Sequence, residues 1–147
     1  MARTALAYRT TGVGSATLPS TSIYSLNTGD VWLVEVGITN TAVTAFEVSL
    51  SRLTTAGTQG ASAGTVTYEE GATSLTAKWA GVQAHTVAPT LGPEVRRTSI
   101  GAAIGNGIIW TFGGRGLLIP SGTANGLGLI ALNGAIQLAD VYWSVDQ

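Results

Sequence analysis

The feature that most constrains this chain is a recurring pattern: short runs of period two, each closed by glycine, asparagine or proline. In the run Ala139 to Asp146, Val141, Trp143 and Val145 alternate with Asp140, Tyr142, Ser144 and Asp146. Successive side chains of a strand point to opposite faces, so such a run buries one side and wets the other. Phe46, Val48 and Leu50 alternate with Glu47, Ser49 and Ser51 in the same way. The run Val31 to Ile38 follows the turn signal Asn27-Thr28-Gly29-Asp30 and is apolar on both sides. Trp32, Val34, Val36 and Ile38 are assigned to one face, and Val31 and Leu33 to the other. The short link Thr39-Asn40-Thr41-Ala42 predicts that this run pairs with the next as an antiparallel hairpin.

Further strands are expected at Thr4 to Arg9, Ser22 to Leu26, Thr65 to Glu69, Gly107 to Phe112, Gly116 to Ile119 and Leu127 to Leu132. Gly113-Gly114, Pro120-Ser121-Gly122, Asn125-Gly126 and Asn133-Gly134 punctuate the C-terminal half. Asn-Gly is the residue pair that type I′ turns favour, because both central positions need positive φ. Thr54 to Gly64 carries no large side chain and reads as a mobile loop or an interaction element. Ser74 to Ala84 is ambiguous between periods and is read as a short helix or irregular segment, with Leu75, Trp79 and Val82 on one face and Ser74 as cap. Pro89 to Pro93 interrupts the pattern. About eight to ten short strands without alternating helices predict an all-β antiparallel jelly roll or β-sandwich. The expected organisation is one domain over 1–147, with a flexible N-terminal arm at 1–20.

Composition supports this and excludes several function classes. The 147 residues include 20 glycines and a single lysine, and 10% are charged, against about 25% in an average domain. A net charge of −1 leaves no basic footprint for nucleic acid or an anionic membrane. With no cysteine there is no disulfide, thiolate nucleophile or cysteine zinc site. No apolar h-region opens the chain and no run approaches the ~20 apolar residues of a bilayer span, so synthesis in a cytoplasm is expected.

Catalytic constellations are sparse. His85 is the single histidine and is read as a loop or rim residue, since a triad needs partners the chain hardly supplies. Glu69-Glu70 are read as solvated turn carboxylates before Gly71, because neighbouring strand residues face opposite ways. Asp30, Asp140 and Asp146 are isolated and form no calcium loop. Gly101 to Gly107 lacks the Lys-Ser/Thr ending of a phosphate loop. Arg115 stands on a presumed hairpin tip, read as a solvated charge. Trp32, Trp110 and Trp143 are assigned to the core, and Trp79 is the candidate exposed contact aromatic. No catalytic, metal or cofactor-binding residue is assigned.

Ala88-Pro89-Thr90-Leu91-Gly92, Arg96-Arg97, Gly101-Ala102-Ala103-Ile104-Gly105, Ile109-Trp110-Thr111-Phe112, Gly116 to Gly122 and Ala139 to Trp143 together resemble a family of small tailed-bacteriophage structural proteins. Val36 to Thr41 and Leu53 to Thr58 extend the likeness upstream. The resemblance implies a capsid decoration (cement) protein. Such a protein is a jelly-roll homotrimer on the exterior of the virion, bound to the major capsid protein and bridging coat subunits, with no catalytic residues. A glycan- or receptor-binding module of a phage fibre, using Trp79 or Tyr142, is the alternative. A hydrolase built on Glu69, Glu70 and His85 has the least support.

Overall fold

The computed structural model describes residues 2–11, 14–71, 76–133 and 138–147. Among these, eleven strands form and no helix does: β1 (Arg3–Arg9), β2 (Thr21–Ser25), β3 (Val31–Asn40), β4 (Phe46–Leu53), β5 (Thr67–Tyr68), β6 (Trp79–Gln83), β7 (Leu91–Ile100), β8 (Gly107–Thr111), β9 (Leu117–Ile119), β10 (Gly126–Asn133) and β11 (Ala139–Asp146). One sheet runs β5-β1-β11-β3-β8, with β9 also on β3; the other runs β6-β2-β10-β4-β7. All pairings are antiparallel. The protein is a β-sandwich.

No strand pairs with its neighbour in the chain. The expected hairpin between β3 and β4 is therefore replaced by a crossing: β3 lies in the first sheet and β4 in the second. The Asn-Gly expectation fails at Asn125-Gly126 for the same reason: among the described residues only glycines have positive φ, so this pair forms no type I′ turn and instead delivers the chain into β10, while Gly134 of the second pair lies outside the described residues. A link that changes sheets has no need of the tight twist that a hairpin turn supplies.

Two segments escaped sequence reading. Trp79–Gln83 is a strand rather than part of a helix, while Ser74 and Leu75 lie outside the described residues. β7 contains Pro93, which a central strand would not tolerate, but β7 is an edge strand with a free N–H side. The N-terminal arm expected at 1–20 contains β1, which is held between β5 and β11.

The core lies between the sheets. Leu6, Val36, Ile38, Val141, Trp143 and Val145 meet Ile23, Val48, Leu50, Trp79, Leu127 and Leu129, all buried. In β3 the inward phase shifts. Ser144 pairs with Glu35 and Val145 with Leu33, leaving Val34 as a bulge. Val31 and Leu33 therefore point inward before it and Val36 and Ile38 after it, while Trp32 is half-buried on the outer face beside Leu118. A bulge adds one residue to one strand, which breaks a strict two-residue alternation.

Polar groups clasp one margin of the sandwich. Trp79 Nε1 donates to Thr4 Oγ1 at 2.8 Å, and Thr4 Oγ1 donates to the Val145 carbonyl at 2.7 Å. Trp143 Nε1 donates to Tyr8 Oη at 2.8 Å, and the Tyr8 and Thr21 hydroxyls are bonded to each other. Both indoles bury a large apolar body without stranding their N–H. Burial pushes the Tyr8 hydroxyl up to about 12, so it stays neutral.

Candidate functional site

The two outer faces of the sandwich differ. The outer face of the β6-β2-β10-β4-β7 sheet is covered by the chain itself over β2 and β10, while most of β7 stays exposed. Thr54 to Gly64, read as a mobile loop or an interaction element, is tied down: Thr58 N–H donates to Val87 O at 3.2 Å, and Ala63 N–H to Gly81 O at 2.9 Å and Gln83 N–H to Ala61 O at 2.8 Å run along the free edge of β6. Gly57 has φ +59 and runs hard against the 87–89 backbone, where any β-carbon would overlap the Val87 carbonyl. Beneath this roof Tyr24, Leu53 and Val82 form a second small apolar cluster with Ala56 against it. The second apolar side of β10 is therefore covered within one chain.

His85 belongs to this roof. It is 4% exposed rather than at a rim. Its Nε2 meets Ser22 Oγ at 2.7 Å and its ring tilts against Tyr24. Burial holds the imidazole below its ordinary value, offset in part by the Ala56 backbone. Glu69 and Glu70 lie at the β5 edge of the other sheet, where Glu69 Oε1 accepts from Ser144 Oγ at 2.6 Å. The histidine and this acid pair stand on opposite sides of the sandwich and form no common site. Asp140 and Asp146 pair with Arg9 and Arg3, and Asp30 accepts from the Ser121 N–H at 2.8 Å. Among the described residues no three His, Cys, Asp or Glu side chains gather where a metal would fit.

Trp79 is fully buried, which overturns its assignment as an exposed contact aromatic. Tyr142, the other aromatic named with it, is half-buried. It stands on the outer face of the β1-β11-β3-β8 sheet, in a cross-strand row with Ala7, Gly37 and Ile109. Its ring occupies the space a side chain on Gly37 would fill, and its hydroxyl donates to Glu35 Oε1. Burial, then the bond to Glu35, pushes the hydroxyl up to about 12. The next row holds the exposed pair Arg9–Asp140, with Nε–Oδ1 at 2.8 Å and Nη2–Oδ2 at 3.0 Å. A shallow depression of about 560 Å³ lies between Tyr142, Ala7, Thr39 and this pair.

Among the described residues no segment covers this face over β3, β8 and β9. Ile109 is 58% and Leu118 39% exposed, next to half-buried Trp32. A second apolar group lies at one end of the sandwich, on the β3–β4, β7–β8 and β10–β11 links: Val43 at 74%, Ile104 at 70% and Leu138 at 43% exposure. Asn40, buried at the end of β3, organises that end. Its Nδ2 donates to the Thr44 and Gly101 carbonyls at 2.9 Å each, and its Oδ1 accepts from the Ala42 N–H at 2.9 Å. Sequence reading took Asn40 for an ordinary linking residue. The Asn-x-x-x-Thr spacing is too common to have marked it.

These two surfaces present apolar side chains, with Ile109 and Leu118 on strands and Val43, Ile104 and Leu138 on links. No protein-family model, no curated protein and no solved structure matches this chain.

Proposed function

We propose that the chain is a non-enzymatic structural protein of a tailed-phage virion, a decoration protein that stabilises the shell by bridging coat subunits. The observation that carries this reading is the asymmetry of the two outer faces: one is covered over β2 and β10 by the chain's own loops, and the other leaves Ile109 and Leu118 exposed beside half-buried Trp32. Exposed apolar groups on a rigid frame mark contact surfaces. Self-association through this face, as a trimer by the family resemblance, leaves Val43, Ile104 and Leu138 at the end of the sandwich for the coat subunits.

The strand order supports the finer reading of a jelly roll. With β5, β6 and β9 set aside, eight strands remain. Taken in chain order, the first, eighth, third and sixth make one sheet, and the second, seventh, fourth and fifth the other. That interleaving belongs to the double Greek key of jelly rolls, which occur among viral capsid and lectin domains.

The test is addition of purified protein to phage heads that lack it. Saturable co-sedimentation and a raised disruption temperature of the shell are expected, and Val43→Asp with Ile104→Asp should abolish both. Heads that neither bind nor gain stability exclude the proposal.

The second reading, a glycan-binding module, is favoured by Tyr142 beside the Arg9–Asp140 pair. An aromatic ring and a planar ion pair around a shallow depression suit the apolar face and hydroxyls of a sugar. A glycan-array signal abolished by Tyr142→Ala would establish it in place of the first.

A further inference from the structure

Arg52 occupies a place in β4 that its neighbours reserve for apolar side chains. Val48, Leu50 and Arg52 face the same way, opposite Ala131, Leu129 and Leu127 of β10, all three of which are buried. At the last of these inward positions the chain carries a guanidinium. The side chain is half-buried and leaves through the open edge of the sandwich, where Nη1 donates to the Leu118 carbonyl of β9. It makes no ion pair among the described residues, unlike Arg3, Arg9 and Arg97. Burial pulls its pKa below the ordinary value, and no neighbouring charge opposes that.

A cleft of about 340 Å³ opens beside it, at the end of the sandwich away from Asn40. It is lined by Pro93, Pro120, Thr54 and Asn125 together with Leu53 and Ile119, both of which are buried. The prolines make two walls stiff and remove two backbone donors. An arginine has five donors, and Arg52 uses one on protein, so its fork is unfilled beside an apolar cleft. Pro93 belongs to β7, whose outer edge pairs with no strand among the described residues.

The geometry points to a docking site for an extended acidic segment of a partner polypeptide, whose Glu or Asp carboxylate lies against Arg52 while its flanking apolar residue enters the cleft. A carboxylate matches one guanidinium fork in charge and planarity. The open edge of β7 can take the segment's backbone as an added strand. This cleft adjoins Leu118, whose carbonyl Arg52 holds, and lies away from the Val43 end; its test reads a peptide and not the shell, so its failure and that of the proposed function are distinguishable.

The test is an NMR titration of the full chain with the capped pentapeptide Ser-Val-Glu-Val-Ser and its counterpart with glutamine in place of glutamate. Saturable shifts are expected at the Arg52 side-chain N–H and at the Leu53, Thr54 and Gly126 amides. The glutamine peptide should bind about tenfold more weakly, the loss of one charge-assisted contact. Arg52→Lys keeps the charge but not the fork and should weaken binding similarly. Arg52→Leu should abolish binding without lowering the thermal midpoint, since an apolar residue suits an inward position. Equal binding of the two peptides, binding retained by Arg52→Leu, shifts centred elsewhere or no saturation would each overturn the proposal. So would a midpoint lowered by more than about 3 °C in Arg52→Leu, a shift of about 1 kcal/mol in a domain this size, because it would make the arginine a structural strut.

Discussion

Tyr142 lies across the bare backbone of Gly37: the ring fills the volume that any side chain at 37 would need, and its hydroxyl reaches Glu35 two residues back along β3. Glycine in a strand interior marks a close approach of this kind. Gly37→Ala should push the ring off the sheet and destabilise the fold by about 1–3 kcal/mol. Tyr142→Phe, which keeps the ring and loses one partly exposed hydrogen bond, should cost about 1 kcal/mol. Urea unfolding of both variants checks the order. A neutral Gly37→Ala would mean that the ring stands elsewhere in solution.

Tryptophan accessibility gives an independent check on burial. Trp79 and Trp143 are fully buried and Trp110 is 8% exposed, while Trp32 is half-buried on an unroofed face. Acrylamide should quench one of the four indoles well, and Trp32→Phe should remove that component. Trp79→Ala should cost about 3–5 kcal/mol. A large quenchable fraction remaining in Trp32→Phe would contradict the burial of Trp79.

His85 should give stability a pH dependence of defined sign. Its folded pKa lies below the ordinary imidazole value of about 6.5, so the unfolded chain takes up a proton first as pH falls through that value. Stability should therefore decline from about pH 6.5 downward and level off below the folded pKa. Asp140 and Glu94 are held low by Arg9 and Arg97. Their contributions are present above the usual carboxylate range and are lost at lower pH, as their folded pKa values are crossed. Chemical denaturation between pH 7 and pH 5 should show the slope in the natural chain and its loss in His85→Gln. A flat profile in the natural chain refutes the buried, neutral imidazole.

Ile109 and Leu118 set the solution state expected of the unroofed face. Light scattering at micromolar concentration should report an oligomer, and Ile109→Glu with Leu118→Glu should convert it to a folded monomer. A natural chain that is already monomeric removes self-association from the account, though not contact with the shell.

Where one residue's phase or chemistry sufficed, the fold was legible in the sequence. Val141, Trp143 and Val145 alternate without interruption and are all buried, as are Phe46, Val48 and Leu50. Legibility ended where a distant partner decides. The bulge at Val34 reverses the phase of β3 because β11 needs it there, and nothing in Val31 to Ile38 announces that. Pairing was illegible for the same reason: a short link such as Thr41 to Ala45 serves a hairpin and a sheet crossing equally well. Small side chains misled in the opposite direction. Thr54 to Gly64 holds its place by backbone hydrogen bonds and close glycine contacts, which leave no apolar signature. Arg52 was readable, since it continues the inward series from Phe46, but only the cleft beside it gives the charge a use.

The central claim, a structural protein docked on a viral shell, is tested most directly by a cryo-EM map of the virion whose genome encodes this chain. The account predicts the sandwich on the outside of the head at symmetric positions, with Val43, Ile104 and Leu138 against coat subunits and the Trp32–Ile109–Leu118 face between copies. A head without this density, or the sandwich found at the tail with Tyr142 facing outward, would contradict it.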